Sequence, residues 1–287
     1  MNEANLIRRD EVSKMTMFER FCYFIKERES IRLKRLAGEE PPWTDDWILQ
    51  TYRFTNVRRM DDKVSQWLLK NWYEPNFDHP NMLVAVCIAR FINKIETLDH
   101  LGFVKEFKPS VLKLHLREYR DKGNTVFGAA YMVRGNDGVD KVSSVIDFYL
   151  KDVVALKTVS TDSMELAHQS LANCYGFGSF MAGQVVADLR WAKRGSWVDR
   201  NFWAPMGPGS QKGMNQLQDR PTEKAIKQVQ FEEELQDLTD RVKKEVPEAI
   251  TSRMEAIDFQ NCLCEISKYN RTFWGVGKPK QLYRGGK

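Results

Sequence analysis

The chain has 287 residues, 42% of them hydrophobic, and a formal net charge of +5, so it is long enough to bury a sizeable core without disulfide staples. Its longest apolar run, residues 83–89, is too short to cross a bilayer, and residues 1–14 lack the apolar core of a secretion signal. The five cysteines are odd in number and lack CxxC spacing, which argues against a disulfide framework or a zinc site and favours a reduced, cytoplasmic protein.

The hydrophobic pattern predicts an all-α protein in which residues 1–287 form a single helical domain. A division of this domain into two lobes, about 1–160 and 161–287, is the alternative. The run MFERFCYFIKERESIRLKRLAG is amphipathic and ends at Gly38, as a helix should. Asn56 is predicted to cap the helix that follows it. The remaining helices are predicted at residues 57–73, 81–95, 110–120, 141–156, 163–173, 221–245 and 247–270.

Residues 171–189, LANCYGFGSFMAGQVVADL, place a Gly-Phe-Gly turn between two helical runs, and Asp188 follows. This is the outline of a helix-hairpin-helix, in which glycines and the positive end of the second helix bring backbone N–H groups close to a DNA phosphate. An ordinary joint between two core helices is the alternative, because glycine is common at helix ends.

Residues 197–217 form the main irregular stretch of the sequence and include GPGSQKG. Backbone amides, a hydroxyl and an ammonium in this stretch suit a phosphate or pyrophosphate. The spacing is not that of a Walker A loop, so a P-loop kinase is not expected from it. A plain connector with a surface lysine is the alternative. The residues predicted to bind phosphate here are Gly207, Gly209, Ser210 and Lys212.

Two further segments combine cations with carboxylates and so favour a polyanionic partner. The first, residues 41–67, contains Arg53, Asn56, Arg58, Arg59, Asp61 and Asp62. The second, from residue 258 to the end, contains Asp258, Cys262, Glu265, Lys268, Arg271, Lys278, Lys280, Arg284 and Lys287. A salt-bridged, solvated face is the ordinary interpretation of such clusters.

Taken together, the motifs FxxFIxERxxI, PWTDDWILQTYRFTNVRRMDD, GFGSFMAGQVVADL, GPGSQKGMN and CLCEISKYNR with GKPK resemble a family linked to hypermodified thymine in phage DNA. It is known as alpha-glutamyl/putrescinyl-thymine pyrophosphorylase, amino acid:DNA transferase, or the helical domain of 5-hydroxymethyluracil DNA kinase. The resemblance covers about residues 18–283. It implies an all-helical, DNA-glycosylase-like fold and, for a phage protein, the cytoplasm of an infected bacterium.

The resemblance also implies chemistry on a thymine-derived base that is flipped out of double-stranded DNA. The expected reaction is displacement of pyrophosphate from 5-pyrophosphomethyluracil by an amino acid or amine. Asp188 is the first candidate base and Asp61 and Glu265 compete with it. Pyrophosphate is assigned to Arg53, Arg59, Gly207, Gly209, Ser210 and Lys212, the DNA backbone to Gly176, Gly178, Ser179, Lys268 and Arg271, and the base pocket to Asn56, Tyr175 and Phe177.

Three alternatives stay open on the sequence. Cys174 or Cys264 would add covalently to the pyrimidine ring in place of a carboxylate base, although a buried inert thiol is the more ordinary role. A glycosylase for a modified pyrimidine would remove the base. A DNA-binding accessory subunit would serve a separate P-loop kinase that modifies the base. Bound pyrophosphate often brings Mg²⁺, which leaves Mg²⁺ open as a cofactor although no ligand cluster is visible.

Overall fold

The computed structural model describes residues 2–129, 133–192 and 195–283, and within these ranges the chain is helical and has no β-strand. The all-α prediction is confirmed. Tyr52 and Leu282 form an isolated antiparallel bridge. None of the helices in these ranges combines the length and the apolarity needed to cross a membrane.

The described residues form fifteen α-helices. In chain order they are α1 (Glu3–Ser13), α2 (Met17–Leu36), α3 (Trp47–Thr51), α4 (Lys63–Leu68), α5 (Met82–Ile92), α6 (Ile95–Leu101), α7 (Pro109–Asp121), α8 (Lys141–Ser143), α9 (Leu150–Leu156), α10 (Met164–Ala172), α11 (Gly178–Ala192), α12 (Pro208–Leu217), α13 (Gln228–Glu245), α14 (Glu248–Thr251) and α15 (Ala256–Phe273). Single 3₁₀ turns lie at Arg59–Asp61 and Glu74–Asn76, and π-helical turns at Leu69–Tyr73 and Ser144–Tyr149.

The chain divides into two compact units. Unit 1 comprises Met1–Asp62 and Asn201–Lys287, and unit 2 comprises Lys63–Arg200. This division differs from the suggested lobes of about 1–160 and 161–287, because the chain leaves unit 1 and later returns to complete it. Local sequence patterns do not record which distant helices pack together.

The Asp46 carboxylate joins helices α2, α3 and α15 of unit 1 through hydrogen bonds. Its Oδ2 accepts hydrogen bonds from the Tyr23 hydroxyl of α2 at 3.0 Å and the Tyr269 hydroxyl of α15 at 2.6 Å. Its Oδ1 accepts from the backbone N–H groups of Ile48 and Leu49 at the start of α3. Asp46 is 2% exposed, so these four bonds satisfy a carboxylate that would be costly to bury alone.

Helices α12 and α15 approach each other closely because glycines line the contact. A Cβ on Gly213 would lie 2.1 Å from the carbonyl oxygen of Leu263, and a Cβ on Gly209 would lie 2.7 Å from the Cys264 sulfur. Only glycine permits such an approach. The contact fixes α12 against α15.

The core of unit 2 is α5, in which every residue is buried. The helix carries one charge, Arg90, which is 3% exposed. Arg90 pairs with Asp188 of α11, so the two helices are joined by a buried ion pair as well as by apolar contact.

The predicted helices at residues 110–120 and 163–173 are confirmed as α7 and α10. The predicted helix at residues 141–156 is also confirmed, since α8, the π-helical turn and α9 follow one another without a break. The predicted cap at Asn56 is wrong, since α4 begins at Lys63. The Asn56 side chain instead donates to the Asp61 carbonyl at 2.8 Å and so stabilises a loop. Residues 208–217, predicted to be irregular, form α12. Arg284 and Lys287, part of the predicted basic tail, lie outside the described residues.

Gly213→Ala is expected to lower the free energy of unfolding by about 1–3 kcal/mol, because the added Cβ would meet backbone that cannot turn aside. In an open helix interior the same change would stabilise by about 1 kcal/mol, so the sign of the effect in urea unfolding is diagnostic. Gly135→Ala, in a loop where a Cβ meets no atom closer than 3.4 Å, is the control for an added methyl group without a close backbone contact. Equal effects at the two positions would contradict the close packing of α12 on α15.

Candidate functional site

In unit 1, the loop at residues 53–56 lies against α15 through a carboxylate and an ammonium. Glu265 Oε2 accepts the Thr55 backbone N–H at 3.0 Å and lies 2.7 Å from Lys268 Nζ. Lys268 also donates to the Arg53 carbonyl at 3.2 Å and sits 4.6 Å from the centre of the Phe54 ring. The two predicted residues of α15 are therefore brought together with the loop that carries Arg53.

The next turn of the loop is stabilised by charged side chains. Asp61 accepts two bonds from Arg58, at 2.6 and 2.9 Å, and its Oδ2 lies 3.3 Å from Arg32 Nε. Arg28 donates to Asn56 Oδ1 at 2.6 Å. The Asp61 carboxylate is therefore occupied by two guanidinium groups, and this geometry gives it a structural role.

One amide that the sequence analysis did not single out, that of Asn261, completes this cluster. Asn261 of α15 donates to Thr55 Oγ1 at 2.9 Å and to the Asn56 carbonyl at 3.2 Å. The Arg59 backbone N–H donates to Asp258 Oδ1 at 2.9 Å. The side chains of Arg53 and Arg271 are exposed. Together with Lys268 they give this part of unit 1 cations that reach solvent.

The GPGSQKG segment has a different geometry from the predicted phosphate cradle. Gly207 is the N-cap of α12, and the completely buried Ser210 hydroxyl accepts the Gly207 N–H at 2.9 Å and the Gln260 amide N–H at 3.1 Å. Gly209 packs against Cys264, and Lys212 pairs with Glu223 at 2.8 Å. The glycines and the serine therefore serve helix capping and packing. Gln260 had no signal in the sequence, because a glutamine on a helix is ordinary.

The two cysteines considered as nucleophiles are poorly prepared for that role. Desolvation raises the pKa of Cys264 to about 12, and it outweighs the Ser210 backbone N–H and the nearby Lys268 and Arg59, which act in the opposite direction. Desolvation also raises the pKa of Cys174. Because the thiolate is the nucleophilic form, both thiols are expected to be inert near neutral pH.

In unit 2, α10 and α11 are joined by the predicted glycine turn. Gly176 has φ of +80° and Gly178 has φ of +57°, values that favour glycine. A Cβ on Gly176 would lie 2.2 Å from the Tyr149 ring, whereas a Cβ on Gly178 would meet nothing within 4 Å. Gly176 is thus required for internal packing, and Gly178 faces open space at the start of α11.

The exposed face of this hairpin is partly aromatic. Tyr175 and Phe180 are 56% and 55% exposed. His168 Nε2 lies 3.0 Å from the Ser179 carbonyl oxygen, and burial lowers the pKa of His168. The Tyr175 backbone N–H already donates to an Asp152 carboxylate oxygen at 2.9 Å, so that amide is occupied.

Phe177, which the sequence analysis assigned to a base pocket, is buried in the core of unit 2. It is 4% exposed, and its ring centre lies 5.0 Å from that of Phe91 in an edge-on contact. The hydrophobic residue between the two glycines anchors the turn in the core of unit 2. Tyr175 is the aromatic side chain of the turn that reaches solvent.

Asp188 has no solvent exposure. Arg90 donates to both of its oxygens, at 2.5 and 2.7 Å, and the Tyr73 hydroxyl donates to Oδ2 at 2.5 Å. Arg90 also donates to Ser65 Oγ at 3.0 Å. The carboxylate that was the first candidate base is therefore at the centre of a buried network. Arg90 was missed, although a single charge inside the apolar run LVAVCIARF is a signal for a buried partner.

No group of three or more His, Cys, Asp or Glu side chains in the described ranges is placed to hold a metal ion. The carboxylates of the unit 1 cluster bond to cations and backbone N–H groups. Within the described ranges, these residues do not form the oxygen cage that Mg²⁺ prefers.

Comparison with known proteins matches residues 15–276 to the family model described as "5-hmdU DNA kinase, helical domain". A protein named 5-hmdU DNA kinase, from Bacillus phage SP10, is 28% identical over 237 residues. The match covers 72% of this chain and 37% of that protein, so the chain spans little more than a third of the relative's length. No solved structure matches the chain.

Asp188→Ala is expected to lower the free energy of unfolding by about 3–5 kcal/mol, because it leaves the Arg90 guanidinium buried without its carboxylate. Chemical denaturation followed by circular dichroism measures the change. Asp99→Ala, at an exposed position of α6, is the control and should have little effect. If the Asp188→Ala variant were as stable as the unchanged protein but had lost its enzymatic activity, Asp188 would again be a catalytic candidate.

Proposed function

The chain belongs to the family of the 5-hmdU DNA kinase helical domain, and from this membership we propose that it modifies a thymine-derived base in phage DNA. The proposed reaction is displacement of pyrophosphate from 5-pyrophosphomethyluracil by an amino acid or amine. The 287 residues contain no Walker A motif, and the proposed displacement step needs none.

The observation that carries this proposal is the arrangement of Glu265 and Lys268 beside the loop that bears Arg53. Among the three candidate carboxylates, Asp61 is bonded to two arginines and Asp188 is fully buried with Arg90. Glu265 is bonded to one backbone N–H and one partly exposed lysine. Glu265 is itself only 8% exposed, but its charged partner is a single, partly exposed lysine, and on that ground we assign it as the base.

In this reaction the amine nitrogen forms a bond to the methylene carbon at position 5 of the uracil. The bond between that carbon and the pyrophosphate oxygen breaks, and the pyrophosphate leaves with the electron pair. Glu265 accepts the proton from the attacking amine. Lys268, Arg53 and Arg59 would stabilise the negative charge that grows on the leaving oxygens.

DNA is proposed to bind through the hairpin of unit 2. The α11 N-terminus at Gly178 and Ser179 offers backbone N–H groups with a favourable helix dipole, and the exposed Tyr175 ring offers a surface on which a base can stack. A base must leave the duplex before its 5-substituent reaches an enclosed site, at a cost of about a few kcal/mol. Stacking on an exposed aromatic ring would offset part of that cost.

One observation favours a second function. The relative is named a kinase and is much longer than this chain, which covers 37% of it. The chain would then be the DNA-binding partner of a separate kinase that acts on the base. In that case the cluster at Glu265 would contribute to the fold and not to turnover.

The transferase is tested with purified protein, DNA that contains 5-pyrophosphomethyluracil, and a mixture of amino acids and amines. Digestion to nucleosides and mass measurement should reveal an amine adduct, and free pyrophosphate should appear in equal amount. An abasic site would instead identify a glycosylase. Bound but unchanged DNA would support the accessory subunit.

The matched pair Glu265→Gln and Glu234→Gln refines this test. Glu234 is also paired with a cation, Arg220 at 2.5 Å, but lies on α13 away from the loop. Glu265→Gln should lower turnover about 10²–10⁴-fold, as expected for loss of a general base, and Glu234→Gln should leave it within a few fold. Similar rates for both variants would remove Glu265 from the mechanism.

Tyr175→Ala is expected to weaken DNA binding about 5–100-fold, which corresponds to the loss of about 1–3 kcal/mol of stacking. Fluorescence anisotropy with a labelled duplex at several salt concentrations measures both the affinity and its electrostatic part. Leu114→Ala is the control, because Leu114 is also exposed, at 55%, but lies on α7. If the DNA affinity changed neither with salt concentration nor on Tyr175→Ala substitution, the hairpin would be excluded as the DNA contact.

A further inference from the structure

The last turns of α15 and the residues that follow it carry unbalanced positive charge. Residues 266–287 contain six lysines and arginines and no aspartate or glutamate. Three of these cations, Arg271, Lys278 and Lys280, are exposed. None of the three forms an ion pair with a carboxylate of the described residues. Their positive charge is therefore open to solvent and to a negatively charged partner.

Contacts at both ends hold residues 277–282, which we call the basic strap, in one place on unit 1. At its start, a Cβ on Gly277 would lie 2.8 Å from Cδ of Arg271, so the strap backbone packs on the stem of that side chain. Near its end, the Gln281 carbonyl accepts the Arg53 N–H at 3.1 Å, and the isolated bridge described above follows at the next residue. The strap therefore runs from the last turn of α15 to the loop that carries Arg53.

The two lysines of the strap lie on its open side. A residue that precedes a proline is restricted to extended backbone, which applies to Lys278 before Pro279. In an extended chain, alternate side chains lie on the same side, about 6.5–7 Å apart. The burial pattern agrees, since Pro279 is buried while Lys278 and Lys280 are exposed. Two ammonium groups therefore lie next to each other on the surface.

An exposed aromatic ring belongs to the same surface. Trp274 follows the last turn of α15, is 46% exposed, and lies three residues after Arg271, which places the two side chains on one face of the helix. The N–H groups of Trp274, Gly275 and Val276 donate to carbonyl groups of the last turn. These carbonyl oxygens are therefore occupied and do not repel an approaching anion as free acceptors would.

Cations that surround an open aromatic ring match the two parts of a nucleic acid strand. Phosphates pair with lysine and arginine, and a base stacks on an aromatic side chain. In a duplex, neighbouring base pairs cover the faces of each base. A single strand offers phosphates and open base faces together, and it is the partner that uses every group of this surface.

We propose that the basic strap and the end of α15 bind a single strand of DNA. Arg271, Lys278 and Lys280 bind its phosphates, and one of its bases stacks on the indole ring of Trp274. The sequence indicated a DNA contact for Arg271, and the structure adds the two strap lysines and the aromatic ring to it.

The strap borders the cluster that contains Glu265. Arg53, which bonds to the strap, also accepts the Lys268 ammonium on its carbonyl at 3.2 Å, and Lys268 pairs with Glu265 at 2.7 Å. A strand on the strap would pass next to this cluster. Its connection to turnover rests on the proposed function, whereas strand binding does not.

The test is the binding of the full chain to a labelled, unmodified single-stranded oligonucleotide, followed by fluorescence anisotropy over a series of salt concentrations. The strap variant combines Arg271→Gln, Lys278→Gln and Lys280→Gln. On a single strand, each neutralised phosphate contributes about 0.7 to the slope of log affinity against log salt. Loss of three contacts should therefore make this slope shallower by about 2.

A second triple variant controls for net charge. Lys243→Gln, Lys244→Gln and Arg253→Gln remove the same charge from exposed positions of unit 1, on α13 and after α14. This control should keep the salt slope and the affinity of the unchanged protein. Equal slopes for the strap variant and the control would overturn the proposal, because the whole charge and not the strap would then attract the strand.

Trp274→Ala tests the single strand against a duplex. It should weaken single-strand binding about 5–100-fold, as expected for a lost stacking contact, and change duplex affinity by no more than a few fold. Trp274→Phe keeps a ring and should restore most of the affinity. Phe202→Ala is the matched control, since Phe202 is also an exposed aromatic residue of unit 1, at 47%.

A strap variant that weakens duplex and single-strand binding equally, with Trp274→Ala neutral, would identify a duplex backbone contact and overturn the single-strand proposal. Thermal unfolding checks that every variant keeps the Tm of the unchanged protein, as expected for exposed side chains. None of these measurements uses a modified base or turnover. Their failure leaves the transferase proposal standing, and failure of the transferase leaves strand binding to be judged on its own.

Discussion

The close contact between α12 and α15 is the constraint on which the candidate site of unit 1 depends. Gly213 and Gly209 let α12 lie directly against the backbone and the Cys264 side chain of α15. With one side of α15 fixed in this way, its Glu265, Lys268 and Asn261 side chains meet the loop at residues 53–56. Loop, helix cap and carboxylate are therefore positioned by a helix packing that tolerates no added methyl group.

Buried charge is handled in different ways within the chain, and the difference separates structural residues from candidate functional ones. Asp188 and Arg90 satisfy each other almost completely, with Tyr73 and Ser65 completing the network. Asp61 is likewise taken up by Arg58 and Arg32. Glu265, in contrast, accepts one backbone N–H and pairs with a lysine that is partly exposed. A network that is complete within the protein stabilises the fold and leaves no group free for a substrate.

The functional proposals assign different tasks to the two units. The hairpin of unit 2 carries the exposed Tyr175 and the open N-terminus of α11, which suit a nucleic acid. Unit 1 carries the Glu265 carboxylate and the exposed cation Arg53, which suit the small molecules of a displacement reaction. Both proposals start from membership in the 5-hmdU DNA kinase helical-domain family, whose model matches residues 15–276.

The sequence by itself determined the all-helical class, the positions of α7 and α10, the glycine turn before α11 and the family, because hydrophobic period, glycine placement and motif sets are local properties. Only the tertiary structure decided what the charged and small residues do. Ser210 and Phe177 proved to be buried, and Asp188 proved to be paired with an arginine 98 positions away. Whether a carboxylate or a glycine faces a substrate or another helix depends on what packs against it, and that partner is set by contacts between distant parts of the chain.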